Sequence, residues 1–122
     1  MICGIGTDIA KVSRFKKWID NPEMINHFFN EKEVKDSACE SALCQHYAAR
    51  FAAKEAFSKA LGTGVSGFSL NEVSVLRNDL GAPYLKLSGN AEKTAEGYEF
   101  SVSITHTDEL AQAVVIAFRK GD

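Results

Sequence analysis

The sequence predicts an α+β protein, with N-terminal helices packed on an antiparallel β-sheet. Two observations lead there. Through the first half of the 122-residue chain, apolar residues recur at helical spacing. From Leu70 onward the period drops to two, and clusters of Gly, Asn and Pro separate the alternating runs. The chain reads as a single domain over residues 1–122, because this length supplies one core and no repeat, linker or low-complexity stretch interrupts it.

Met1 to Gly6 reads as a short buried strand, with Asp8 just beyond it and Cys3 as a small buried apolar residue. Ser13 is placed to cap a helix carrying Arg14, Phe15, Trp18 and Ile19. Asn21-Pro22 interrupts, with Pro22 suited to a first helical turn, and Met24, Ile25, Phe28 and Phe29 keep the helical period. Asn30 and Glu33 stand in a capping-box arrangement for a brief helix through Val34. A long helix is expected over Ser41–Leu61, with Leu43, Tyr47, Ala48, Phe51 and Ala52 facing the core and Gly62 as its C-terminal cap. Gly64 and Gly67 mark a loop. The strands follow: Glu72–Arg77 and Tyr84–Ser88 as a hairpin around Asn78–Pro83, then Phe100–Thr105 and Ala111–Phe118 joined by Thr107-Asp108-Glu109. Asn90–Ala95 forms a weak helical turn between the two pairs. The N-terminal strand is placed to join the sheet.

The net charge is −2, so bulk electrostatics point to neither nucleic acid nor a membrane surface as partner. Lys11, Arg14, Lys16 and Lys17 nevertheless form a local basic patch, which is either a docking surface for an acidic partner or a solvated helix face. The three cysteines have no metal-ligand spacing, which suggests a reducing compartment. No basic leader precedes an apolar run, and no apolar stretch nears the roughly 20 residues of a membrane span, so the expected location is cytoplasmic.

Candidate functional residues lie in three places. Asp8 sits in Gly4-Ile5-Gly6-Thr7-Asp8-Ile9. Glu55 and Lys59, four apart on one helix face, precede the Gly62-Thr63-Gly64 turn. His106 ends a strand in Ser103-Ile104-Thr105-His106-Thr107. Two carboxylates without clustered His or Cys suit a hard cation such as Mg2+, which keeps waters and takes substrate phosphate. A lysine and glycine-bracketed amides suit phosphate oxygens. Each feature has a plainer reading: Asp8 as a turn cap, the glycines as a helix stop, Glu55–Lys59 as a surface pair, His106 as a half-buried histidine. His27 and His46 have no motif around them and read as structural.

Together these segments are similar to a known family. Gly4-Ile5-Gly6-Thr7-Asp8-Ile9, the run Arg50-Phe51-Ala52-Ala53-Lys54-Glu55-Ala56-Phe57-Ser58-Lys59-Ala60 through Gly64, the Asn78–Tyr84 turn and Val102-Ser103-Ile104-Thr105-His106-Thr107 occur in the order and spacing of one protein type. They resemble the bacterial holo-acyl-carrier-protein synthases, the small single-module 4′-phosphopantetheinyl transferases, over nearly the whole chain. The resemblance implies that family's fold and its reaction, transfer of the phosphopantetheine arm of coenzyme A to a serine of apo-acyl carrier protein, in support of fatty acid biosynthesis. It implies Mg2+ as cofactor, held by Asp8 and Glu55. Catalytic roles fall to Glu55 and Lys59. Coenzyme A contacts fall to Arg50, Lys59, Gly62, Thr63, Gly64, His106 and Thr107, and carrier docking to Arg14. The base is either Glu55 or a metal-bound water that it orients. The family's homotrimers build each site between protomers, so His106 and Glu55 of one site need not share a chain. Two departures stand out: Lys11 replaces an acidic residue, and the docking helix is poor in arginine. Rival readings are a non-catalytic coenzyme A-binding module and another Mg2+-dependent phosphoryl transferase; the absence of a GxxxxGK[ST] loop weighs against a P-loop type.

Overall fold

The computed structural model describes residues 1–121. Its spine is α3 (Glu40–Leu61), a helix of 22 residues. From Phe51 to Ala60 this helix is buried all round except at Glu55, which is half-buried, and Lys59, which is exposed. A helix wrapped on all sides must carry small residues where elements approach it, and Ala52, Ala53, Ala56 and Ala60 serve that purpose.

One face of α3 lies on a three-stranded antiparallel sheet of order β1-β5-β4, formed by Ile2–Lys11, Leu110–Arg119 and Tyr98–His106. The inward face of this sheet is also small: Gly4, Gly6 and Ala10 from β1, and Ala111, Ala113, Val115 and Ala117 from β5. Small residues on both sides let strand and helix approach closely. The outward face carries Ile5 paired with Ile116, and Ile9 paired with Gln112; Ile5 is 67% and Ile9 58% exposed.

Before α3, a 3-10 turn (Val12–Phe15), α1 (Lys16–Ile19) and α2 (Pro22–Phe28) fold an aromatic cluster against Phe51. Phe15 and Trp18 lie 4.6 Å apart, and Trp18 stacks on Phe28 at 5.0 Å between ring centroids. After α3, a 3-10 turn (Leu70–Glu72) leads into the hairpin β2 (Val73–Arg77) and β3 (Pro83–Leu87), and α4 (Gly89–Thr94) leads on to β4.

The α+β class and the order of elements agree with the sequence reading, and several details differ. The hairpin forms its own two-stranded sheet, with α4 between β3 and β4 in the chain. Strand β1 runs ten residues and includes Asp8, since β5 pairs with it from Ile2↔Phe118 to Lys11↔Leu110. Cys3 is exposed. Ser13 caps no helix and lies within the 3-10 turn. Pro22 takes the first turn of α2, and the Asn30–Glu33 capping box is present on a 3-10 turn over Glu31–Glu33. No helix of the described residues is long and apolar enough to cross a membrane.

Candidate active site

The site begins with two glycines. A Cβ on Gly6 would overlap the carbonyl oxygen of Ala56 and sit 2.6 Å from Ala60 N, and one on Gly4 would overlap the carbonyl oxygen of Ala60. These glycines seat β1 directly on the backbone of α3. Asp8 follows Gly6 by two residues, so it shares the helix-facing side of the strand. It arrives beside Glu55 and Lys59, the two residues of the Phe51–Ala60 stretch of α3 that are not buried.

There Lys59 Nζ donates to Thr7 O at 3.0 Å and to Asp8 Oδ1 at 3.2 Å. The ion pair of Lys59 is therefore with Asp8, not with Glu55 one turn earlier. The strand presents its carboxylate and a carbonyl together, a pairing that helix periodicity cannot reveal. Glu55 has its pKa raised, first by burial and then by the negative charge of Asp8, while Lys59 and Arg14 pull it back. A carboxyl so placed gains from a cation. Asp8 and Glu55 form an oxygen-only donor pair, and no group of three or more His, Cys, Asp or Glu gathers as a metal cage among the described residues. That suits a hard ion whose remaining positions go to water and substrate oxygens.

Arg14 lies on the same side. Its guanidinium sits over the rings of Phe51 at 4.9 Å and Trp18 at 5.4 Å, so the exposed charge of the basic patch is fixed on the aromatic cluster next to Glu55. A cavity of about 350 Å³ opens beside Glu55, walled by Phe28, Val65, Phe68 and Leu70, with His27, Ser69 and Asn71 at its polar edges. The Gly62-Thr63-Gly64 turn is exposed, with Gly62 at φ 80° and Gly64 at φ 64°. Only glycine holds those angles without strain.

Arg50 and His106 lie in a different cavity, of about 430 Å³, lined also by Lys35, Gln45, His46 and Arg77. Arg50 Nη1 donates to His46 O at 3.4 Å, while its buried Nε has no partner and burial lowers its pKa. His46 Nε2 donates to Glu33 O at 2.6 Å, and burial with the nearby Arg50 charge holds its pKa down to about 4. Lys35, Arg50 and Arg77, with the imidazoles of His46 and His106 beside them, give this cavity a cationic lining whose chemistry suits an anion. The sequence reading missed Lys35 and Arg77, because they come from a loop and a hairpin end with no shared period. Thr107 Oγ1 accepts from Glu109 N and Leu110 N, so it holds the β4–β5 turn. The chain thus gathers Asp8, Glu55, Lys59 and Arg14 on one side and Arg50 with His106 on another.

The sequence profile of the 4′-phosphopantetheinyl transferase superfamily matches residues 4–116. The holo-[acyl-carrier-protein] synthase of Clostridium botulinum (strain Alaska E43 / Type E3) is 44% identical over 120 residues, covering 94% of this chain and 98% of that protein. Among solved structures, the holo-(acyl-carrier-protein) synthase of Bacillus anthracis in complex with CoA (3′,5′-ADP) superimposes with a TM-score of 0.78 at 35% identity, over 96% of each chain. The holo-[acyl-carrier-protein] synthase of Neisseria meningitidis reaches a TM-score of 0.86 at 28% identity, over 98% of this chain and 100% of that one. With the matching profile and a shared fold over nearly its full length, the chain belongs to the 4′-phosphopantetheinyl transferases of the holo-acyl-carrier-protein synthase type.

Proposed function

We propose that this chain transfers the 4′-phosphopantetheine group of coenzyme A to a serine of apo-acyl carrier protein, releasing adenosine 3′,5′-bisphosphate. One observation carries the reading: β1 delivers Asp8 to α3 beside Glu55 and Lys59, within a chain of this family. Asp8 and Glu55 are the residues that would hold Mg2+, which when bound supplies Lewis-acid polarisation to the pyrophosphate oxygens.

The serine oxygen attacks the β-phosphorus, the bond from that phosphorus to the bridging oxygen breaks, and the nucleoside bisphosphate departs with that oxygen. Negative charge spreads over the phosphoryl oxygens, so catalysis rests on positioning and electrostatics. Lys59, whose side chain is 54% exposed, is free to turn its ammonium from Asp8 toward those oxygens. Glu55, with its raised pKa, takes the serine proton directly or through a water that it orients. Gly62, Thr63 and Gly64 offer backbone groups to the pyrophosphate. Arg50 and His106, with Thr107 shaping the turn beside them, form the coenzyme A pocket for a further phosphate. Arg14 docks the acidic carrier.

The separation of the two halves within one chain supports a homotrimer, with Arg50 and His106 of one protomer completing the Asp8–Glu55 site of the next. The exposed apolar outer face of the sheet, with Ile5 and Ile9, offers the contact surface. Light scattering that returns a monomer at assay concentration would refute this assembly. We also assign the chain as one domain, working in the cytoplasm for fatty acid biosynthesis. The deciding experiment incubates the chain with coenzyme A and apo-carrier, with and without Mg2+, and weighs the carrier. An increment of about 340 Da that requires Mg2+ is expected from phosphopantetheine transfer. An unmodified carrier with Mg2+ present would overturn the reading.

A further inference from the structure

Lys54 precedes Glu55, yet its side chain is fully buried. Its ammonium donates to Glu33 Oε1 at 2.5 Å, to Leu70 O at 3.0 Å and to Val73 O at 2.5 Å, which uses all three of its N–H groups. Glu33 is 2% exposed and equally occupied. Its Oε1 also accepts from Asn30 N at 2.9 Å, and its Oε2 accepts from Val75 N at 3.1 Å. Four segments of the chain therefore meet at one ion pair: the turn before α3, α3 itself, the Leu70–Glu72 turn and strand β2.

Burying two charges is costly, and apolar replacements of buried ion pairs are often neutral or stabilising. Stability alone gives little reason for this arrangement. Position gives a better one. The loop leaving α3 at Gly62 is exposed from Gly62 to Gly67, and its bonds are sparse: Ser66 N donates to Gly64 O, and Thr63 Oγ1 to the same carbonyl. Its first end is held by the helix cap, where Gly62 N donates to Lys59 O. Its far end reaches Leu70, and there Lys54 binds it back to the helix. Phe68 and Leu70, at that anchored end, also wall the cavity beside Glu55.

We propose that Lys54, neutralised by Glu33, is a positioning residue of the coenzyme A site: it ties the exit of the Gly62–Gly67 loop to the helix that carries Glu55 and Lys59. The substrate clause of this proposal rests on the functional reading above. Lys54 touches no reacting atom in it. Its effect passes through the loop, so it should govern the affinity for coenzyme A and leave carrier docking at Arg14 unaltered.

The test variant is the double change Lys54→Met with Glu33→Gln, which leaves no orphaned charge and keeps an acceptor for one of the two amides, Asn30 N or Val75 N, that Glu33 serves. Hydrogen exchange at the bonded amides that flank Leu70, those of Ser69, Glu72 and Val73, is expected to quicken by about ten-fold while amides of β5 keep wild-type rates. The KM for coenzyme A should rise by about five-fold, with the carrier KM within about two-fold of wild type. Unchanged exchange at these three amides overturns the proposal. So does a uniform rise over the whole chain with activity falling in step, which would mark a purely structural pair. Lys54→Arg is the second variant, used where the double variant fails to fold. It keeps the charge next to Glu33, but its planar fork cannot meet three converging acceptors, so the same local loosening is expected. Failure of the wild-type chain to modify any carrier would refute the functional reading, and the exchange measurement would still decide the clamp.

Discussion

Gly6→Ala tests the geometry on which the acidic site depends. The added methyl group would overlap Ala56 O and lie 2.6 Å from Ala60 N and 2.9 Å from Lys59 Cβ, where ordinary contact begins at 3.4 Å. Two of these neighbours are helix backbone, whose hydrogen bonds resist movement, so β1 must withdraw. Overpacking of this kind costs about 1–3 kcal/mol, which for a chain of this length lowers Tm by about 4–12 °C. Withdrawal by about 1 Å also carries Asp8 away from Glu55 and Lys59, and a misplacement of that size can reduce turnover by about a hundred-fold. The assay pairs thermal unfolding followed by circular dichroism with the carrier-mass measurement at a temperature where the variant is folded. Gly4→Ala is the comparison: it meets the helix at Ala60, further along the strand from Asp8, so a similar loss of Tm should accompany a smaller loss of rate. A Gly6→Ala protein that transfers at the wild-type rate would refute the argument that strand seating sets the site.

Glu55→Gln should lower Mg2+-dependent transfer by about a thousand-fold or more, since it removes both a metal-holding carboxylate and the proton acceptor; near wild-type turnover with unchanged metal dependence would reject that role. Arg14→Ala should raise the carrier KM by about three- to ten-fold, leave the KM for coenzyme A unaltered, and weaken the salt dependence of carrier binding; equal carrier KM values would sink the docking assignment. His46 is held neutral in the fold, with a pKa of about 4 against the ordinary 6.5. On acidification the unfolded chain takes up this proton first, so the stability His46 contributes is whole above about pH 6.5 and is lost as pH falls toward 4. The Tm advantage of wild type over His46→Gln should therefore shrink between pH 7 and pH 4.5, and an advantage constant over that range would contradict the assignment.

Local signals in the sequence were enough for most of the elements, though not for the length of β1 or the start of the first helix. The 3.6 period of α3, the alternation of the last four strands, the proline opening α2 and the capping box at Asn30 are properties of neighbouring residues, and neighbouring residues display them. The segments of the acidic site were legible in the same way, as short runs whose residue types suit a cation and phosphate. What helix spacing suggested about Glu55 and Lys59 was incomplete. Four residues apart on one face, they look like partners, and only the approach of β1 shows that Lys59 pairs with Asp8.

Lys54 makes the same point from the other side of the helix. In sequence it is one more charge beside Glu55; in the fold it is fully buried and answers to Glu33, 21 residues away. The cationic cavity follows suit, since Lys35, Arg50, Arg77 and His106 come from a loop, a helix, a hairpin and a strand end. The sequence by itself determined the fold class, the family resemblance and the residue types of the site, because those reside in short-range pattern. Tertiary structure alone decided which charge meets which, because glycine and alanine faces let β1 and α3 approach to backbone contact, and that approach is a property of two surfaces rather than of either segment.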